Sequence, residues 1–362
     1  MVNKKQNTPI LILPGETISE LLEQKGMTQL ELAKRMGRPH KTINEIIKGK
    51  ASITSETAIQ LESVFSIPAS FWMNLESNYQ ISLARYNSYK KLEKEYKIAE
   101  KYPYKEMIKL GWINSCKEIE DVVKCMHNFF GVASLENVIE KNIFVGAKYR
   151  ISLKKSHSKE AVSVWLRKGV LEAQKIQINN FNEKKLKENL LSIKKLMFSS
   201  PNDFMPDLIK LLADCGVALV VLKNLKNVPI NGVTRWISPD KALIQMSIRG
   251  KYADIFWFSL FHEIGHLLLH RKKGVYIDSE NEVIKKLEEK EADKFASDML
   301  ISEIEYKNFV KKFKMSRNID MLKSFSKKNG VIEGAVVGRL QNDEIIGRNQ
   351  FNGLRYKYEW GN

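Results

Sequence analysis

The sequence is poor in cysteine and has no long apolar run. Three cysteines in 362 residues, Cys116, Cys125 and Cys215, cannot build a disulfide framework, and their odd number leaves one unpaired in any case. A reducing cytoplasm fits that usage. Cys116, Cys125 and His127 have spacings that match no common structural zinc pattern, so core or surface thiols are expected there. Met1 to Pro9 is polar and lacks the apolar stretch of a signal peptide, and no later run approaches the roughly 18 uncharged apolar residues of a membrane span. The longest apolar stretches, Gly216 to Leu222 and Ile255 to Leu260, are the size of core elements. Internal repeats and low-complexity tracts are also missing. A soluble cytoplasmic protein without a membrane partner is the expectation. What is there is ample for packing: 43% hydrophobic residues, with 6 Trp, 16 Phe and 12 Tyr, exclude a disordered chain, and the length predicts two or three domains.

The charge is uneven. The 59 Lys and Arg exceed the 42 Asp and Glu to give +17, which predicts attraction to polyanions without locating it. Residues 1–80 carry 9 basic and 8 acidic side chains (+1), residues 81–199 carry 24 and 13 (+11), and residues 200–362 carry 26 and 21 (+5). A nucleic-acid site near the start must therefore be a local patch. Lys34, Arg35, Arg38, Lys41, Lys48 and Lys50 against Glu45 alone supply one, with +5 over residues 34–50. In the basic middle, Tyr86, Tyr89, Tyr96, Tyr102 and Tyr104 recur. Half-buried tyrosines on helices are the plain reading, and base stacking is the alternative.

Periodicity predicts a run of short helices between residues 14 and 80. Pro14 and Glu16 open the first, and Thr28 with Glu31 forms a capping box for the second. Gly37-Arg38-Pro39 makes a turn into a third over His40 to Lys48, Thr54 to Phe65 reads as a fourth, and Ala69 to about Tyr79 as a fifth. Helical signal continues from Ser82 to Met126, and further helices are expected over Lys159 to Ile176 and Glu183 to Met197. Ser199-Ser200-Pro201 reads as a boundary. Strands follow at Val217 to Leu222, Val233 to Ile237 and Ala242 to Met246, then helices at Tyr252 to His270, Glu288 to Ile301, Met321 to Lys328 and Ile332 to Gln341.

Two helices across a tight turn have a specific use. The first braces the second, which can lie in the major groove of DNA with its N-terminal side chains at base edges. Here the second helix presents Pro39, His40, Lys41, Thr42, Asn44 and Glu45. Pro14-Gly15-Glu16, Gln29-x-Glu31-Leu32-Ala33, Gly49-Lys50, Ile53-Thr54 and Phe71-Trp72-x-Asn74-Leu75 resemble the Xre-type helix-turn-helix of HigA-like antitoxins over residues 12–80. The resemblance implies binding to a double-stranded operator, usually as a homodimer, with Gln29 at a phosphate and Thr42 and Asn44 near bases. Arg38, His40, Lys41 and Lys48 complete the candidate DNA-binding set.

The sharpest chemical signal is His262-Glu263-Ile264-Gly265-His266. Histidines four residues apart on a helix lie about one turn apart and can meet one metal. Glu263, beside the first, can act as general base. The surrounding helix is Ile255, Phe256, Trp257, Phe258, Leu260, Phe261 and Leu267 to Leu269, where two unligated imidazoles would be costly to bury. A third ligand is expected from the carboxylate-rich stretch Glu288 to Ala296. Glu291 is preferred because it shares a face with Phe295, Ala296 and Met299, and Glu289 is second. Asp293 or Asp298 could orient a ligand imidazole, and His270 reads as an outer or helix-end residue. Arg235, Arg249 and Tyr252 are available nearby in sequence as oxyanion donors, with a structural role the plainer reading for each.

Phe258-x-x-Phe261-His262-Glu263-Ile264-Gly265-His266-Leu267-Leu268-Leu269-His270, with Glu291-Ala292-x-x-Phe295-Ala296-x-x-Met299-Leu300-Ile301, resembles the ImmA/IrrE metallo-endopeptidases, which inactivate phage and stress-response repressors. Gly232-x-Thr234-Arg235-Trp236, Asp254-x-Phe256-Trp257 and Gly338-Arg339-Leu340-Gln341 fit the long HigA-like versions, so the resemblance spans most of the chain; Ile301-Ser302 departs from it where a proline is usual. It implies one zinc per chain held by His262, His266 and Glu291, with Glu263 as catalytic acid and base. The expected architecture is multidomain: an all-α helix-turn-helix domain (12–80), a basic helical connector (81–199), an α+β zincin-like domain with a small sheet (200–345) and a tail (346–362). The expected function is a DNA-binding regulator whose zinc endopeptidase cleaves a repressor or toxin–antitoxin partner. The alternative is a non-catalytic antitoxin or autorepressor whose zincin domain senses or binds a partner.

Overall fold

The computed structural model describes residues 12–140, 158–248, 252–270 and 282–358. They form two compact units, one from the residues up to 100 together with 115–126, the other from 101–114 together with those from 127 onward.

The first unit opens with helices α1 (Pro14–Gln24), α2 (Gln29–Met36), α3 (His40–Ile47), α4 (Ser55–Phe65) and α5 (Ala69–Ala99). Local chemistry sets the boundaries. Thr28 Oγ1 accepts the Glu31 amide at 3.2 Å to cap α2, and Gly37, with φ of 66°, ends it in the left-handed conformation that glycine adopts without strain. Apolar faces at helical spacing then meet: Ile18, Leu22, Leu32, Ile43, Ile46, Leu61 and Phe65 close over a fully buried Trp72. The buried Glu76 carboxylate accepts the Ile53 amide (3.0 Å) and the Gln80 side chain (2.7 Å), which offsets its desolvation. Helix α5 continues twenty residues beyond the break expected near Tyr79. No proline or glycine lies between residues 69 and 99, so the change from apolar to charged composition alters the surface without stopping the helix.

Gly15 lies where α1 meets the end of α3. A β-carbon there would sit 2.1 Å from the Ile47 carbonyl oxygen, a backbone atom that cannot swing aside. Gly15→Ala is expected to destabilise this unit by about 1–3 kcal/mol, the usual cost of forced overpacking, read as a lower urea midpoint.

After α6 (Tyr104–Lys109), α7 (Ile119–Phe130) and α8 (Glu136–Glu140), the second unit is built around a three-stranded sheet. Strands β1 (Val217–Leu222), β2 (Gly232–Ser238) and β3 (Lys241–Ser247) lie in the order β1-β3-β2, with β1 parallel and β2 antiparallel to β3. Alternation along the strands gives the sheet two apolar faces. Val217, Leu219, Ala242, Ile244 and Met246 face α12 (Ala253–Leu269), whereas Ala218, Val220 and Leu243 pack on Ala173 of α9 (Lys159–Ala173). Helices α10 (Glu183–Lys195), α11 (Pro201–Ala213), α13 (Glu282–Leu300), α14 (Glu303–Ser316), α15 (Ile319–Lys328) and α16 (Glu333–Asn342) complete the unit.

The multidomain, all-α then α+β architecture matches the expectation, and three details correct it. Ser199-Ser200-Pro201 is a helix start, with Ser200 as N-cap and Pro201 at the first position of α11. Residues 159–199 do not belong to a separate connector, because α9 covers one face of the sheet and Gln245 of β3 donates to the Trp165 carbonyl at 2.7 Å. The described part of the tail contributes to the core: Ile346 and Tyr358 are buried, and the Trp257 indole donates to Tyr358 Oη at 2.6 Å. Helix α14 was not expected from its lysine-rich sequence, yet Tyr306, Phe309 and Phe313 form its buried stripe.

Candidate metal centre

Helix α12 is buried along most of its length, and Gly265 lets α13 approach it: a β-carbon at that position would lie 3.0 Å from the Phe295 ring and 3.4 Å from Ala292 Cα. One helical turn brings His262 and His266 together with their Nε2 atoms 3.1 Å apart. From α13, Glu289 places Oε2 3.5 Å from His262 Nε2 and Oε1 3.4 Å from His266 Nε2. These three residues form the one cluster among the described residues whose donor atoms can meet a single metal ion.

The donor set fits zinc. Ligand atoms about 2.0–2.1 Å from a tetrahedral ion stand about 3.3 Å from one another, which is the spacing found here. Glu289 Oε2 is buried and makes no well-formed hydrogen bond, its approach to His262 Nε2 being 3.5 Å, an arrangement that a bound cation would satisfy. His262 Nδ1 bonds Asp293 Oδ1 at 2.9 Å; because the carboxylate only accepts, the ring proton sits on Nδ1 and Nε2 is left for a metal. Three carboxylates, Glu263, Glu289 and Asp293, surround the imidazole pair. Burial alone would lower the His262 pKa, but bonds to Asp293 and Glu289 and the charges of Glu263 and Asp293 outweigh it and raise the value to about 9. Burial pushes Glu289 up, yet the bonds and charges of His262 and His266 hold its carboxyl well below the usual range. The site therefore attracts positive charge, and proton and metal compete for it.

The structure places Glu289 at the imidazole pair and not Glu291, which corrects the ligand preferred from the sequence. Two residues along a helix is about 200° of rotation, so both carboxylates cannot face α12. The buried stripe of α13 is Ala292, Ala296 and Leu300, with Glu289 and Asp293 on it; Phe295 and Met299, which suggested Glu291, are half-buried. The Glu289/Asp293 spacing of four, matching that of His262 and His266, is the signal that could have found the third member of the cluster. Glu291 bonds His270 Nε2 at 2.8 Å, and Asp298 is exposed.

Glu263 is buried beside the pair. Its Oε2 accepts from Thr234 Oγ1 at 2.7 Å, and a β-carbon on Gly232 would lie 2.7 Å from Oε1, so β2 both anchors and confines this carboxylate. Burial raises its pKa against the pull of His262, His266 and the Thr234 bond. A cleft of about 310 Å³ opens on Glu263 and His262, walled by Phe258 and Leu300 and reaching Arg339. Of the oxyanion candidates, Arg235 alternates with Thr234 and so projects from the sheet face opposite Glu263. Tyr252 lies under the Arg355 and Lys357 cations at 4.3 and 5.1 Å, and Arg249 lies outside the described residues.

In the first unit His40, Lys41 and Lys48 are exposed on or beside α3, and Thr42 and Asn44 are partly exposed. Asn44 Nδ2 donates to Gln29 Oε1 at 3.2 Å, so the two side chains brace α2 against α3. Arg38 is turned inward: it bonds Gln60 and pairs with Glu56 at 3.2 Å with only 20% of its side chain exposed. It supports the turn and is not a free surface cation.

Comparison with known proteins divides the chain in the same way. Residues 18–72 match the helix-turn-helix family, and residues 254–341 match the peptidase family described as the IrrE N-terminal-like domain. Over 74 residues the chain is 34% identical to virulence-associated protein I of Dichelobacter nodosus, covering 20% of this chain and 68% of that protein. Over 71 residues it is 31% identical to the HTH-type transcriptional regulator YddM of Escherichia coli K12, covering 20% and 76%. Among solved structures, an addiction-module antidote protein of the HigA family from Coxiella burnetii is 38% identical over 25% of this chain and 96% of that one, with a TM-score of 0.22.

Proposed function

The chain belongs to the Xre-type helix-turn-helix regulators and carries an IrrE-like peptidase-family domain, and from that premise we propose that it binds operator DNA through α3 and hydrolyses a peptide bond in a partner protein at the His262/His266/Glu289 centre. The observation that carries the reading is the convergence of the two imidazoles and Glu289 beside an anchored Glu263.

Zinc, when bound by His262, His266 and Glu289, supplies a Lewis acid that polarises a peptide carbonyl and acidifies water. The chain does the rest. Thr234 holds Glu263 Oε2, which leaves Oε1 to take the proton of the attacking water and return it to the leaving amide nitrogen. Asp293 keeps the His262 proton on Nδ1. Strand β2 pairs with β3 and forms an end of the three-strand order, with Gly232 at the mouth of the cleft, so an extended peptide can add to its edge with its backbone near Glu263. The test of the whole is co-expression of candidate repressor or toxin partners with wild type and with Glu263→Gln. Cleavage by wild type alone supports the reading, and an intact partner in both cases favours the non-catalytic alternative. No helix among the described residues is long and apolar enough to cross a membrane.

Thr234→Val is expected to keep the metal and lower cleavage of such a partner by about 10- to 100-fold, since a hydrogen bond to a buried carboxylate is worth about 1.5–3 kcal/mol; Thr234→Ser should recover most of it. Lys41 is exposed at the start of α3. Lys41→Ala is expected to weaken binding to operator and random duplex alike and to reduce the slope of log affinity against log salt by about 0.9, measured by fluorescence anisotropy.

A further inference from the structure

We propose that His270 and Glu291 are positioning residues: together they form a relay that locks His266 in the tautomer with its proton on Nδ1, so that Nε2 presents a lone pair to the cation. The inference rests on the reading of His262, His266 and Glu289 as a metal site.

Glu291 Oε2 lies 2.8 Å from His270 Nε2, and an ionised carboxylate can only accept, so Nε2 of His270 carries the proton. In the neutral ring Nδ1 is then an acceptor. That atom lies 3.1 Å from His266 Nδ1, which must donate, leaving His266 Nε2 bare and 3.1 Å from His262 Nε2. His262 reaches the same state through one bond to Asp293, whereas His266 needs two in series. The relay follows from spacing on two helices. His262, His266 and His270 recur every four residues along one face, and Glu291, turned away from the imidazole pair by its offset from Glu289, meets the third of them. The His270 side chain is only 6% exposed and Glu291 is 61% exposed, so the relay is a buried imidazole anchored at its outer end by a surface carboxylate.

The full-length protein, stripped of metal, is titrated with Co(II) by its visible absorption and with Zn(II) in competition with a chelating indicator. Glu291→Ala and His270→Phe are expected to weaken Zn(II) binding by about 10- to 100-fold, the usual cost of losing an outer-shell partner. Glu291→Gln, whose amide oxygen still accepts the His270 proton, should stay within a few-fold of wild type. Long-range proton–nitrogen NMR of the metal-free protein should find the neutral His266 ring protonated at Nδ1, and Glu291→Ala should lose that preference, a readout that general loosening of the helix end would not produce. Should His270→Phe fail to fold, the exposed Glu291→Ala decides. Wild-type affinity in Glu291→Ala, or a proton on His266 Nε2, overturns the relay alone. Failure of wild type to take up Co(II) overturns the metal reading and the relay with it.

Discussion

Glu263→Gln will retain one zinc per chain and lose about 10²- to 10⁴-fold in peptide-bond cleavage, the range associated with removing a general base. The two halves of that result have separate physical origins. Glu263 is not among the clustered donors, so its charge can go without removing a ligand. Its carboxylate is held by Thr234 on one oxygen and confined by Gly232 at the other, and glutamine fills the same space without a basic oxygen. Metal analysis by mass spectrometry reads the first half, and the integrity of a co-expressed partner reads the second. Loss of zinc in this variant would place Glu263 among the ligands. Unchanged cleavage would remove it from the chemistry altogether.

The second large effect separates two neighbouring carboxylates. Glu289→Ala is expected to abolish stoichiometric zinc binding, while Glu291→Ala weakens it and leaves it measurable. Glu289 supplies both oxygens near the imidazole pair, at 3.4 and 3.5 Å, and has a buried oxygen with no other partner. Removing it leaves a two-histidine site, one donor short of the three that a catalytic zinc takes from protein. Equilibrium dialysis followed by elemental analysis measures the difference. If Glu291→Ala loses the metal and Glu289→Ala keeps it, the ligand assignment and the packing argument from the α13 stripe both fall.

The two carboxylates also mark where one-dimensional reading runs short. Periodicity says that Glu289 and Glu291 face different ways on α13, but which of those ways is inward depends on how α13 rolls against α12. That roll is set by Gly265, whose missing side chain admits Ala292 and Phe295, a fact about two helices separated by twelve residues of chain. Arg38 gives the same lesson in the first unit. Counted as part of a local +5 it reads as a DNA contact, yet Gln60 and Glu56 of α4 draw it inward. Helix α14 is a different kind of miss, because the Tyr306, Phe309 and Phe313 stripe is present in the sequence and its lysines obscured it.

What the sequence determined by itself is what depends on neighbours along the chain. The Thr28 cap, the Gly37 turn, the two imidazoles four residues apart and the carboxylate beside the first of them are fixed within a turn or two of helix, because hydrogen bonding and helical pitch act at that range. Tertiary structure decided everything that needs two elements to meet: Glu289 as the third donor, Thr234 on Glu263, α9 as one cover of the sheet, and Tyr358 of the apparent tail as part of the core. Those choices follow from burial, which selects among faces that the sequence makes equally available. A carboxylate meets the imidazole pair only on the face that packing turns inward.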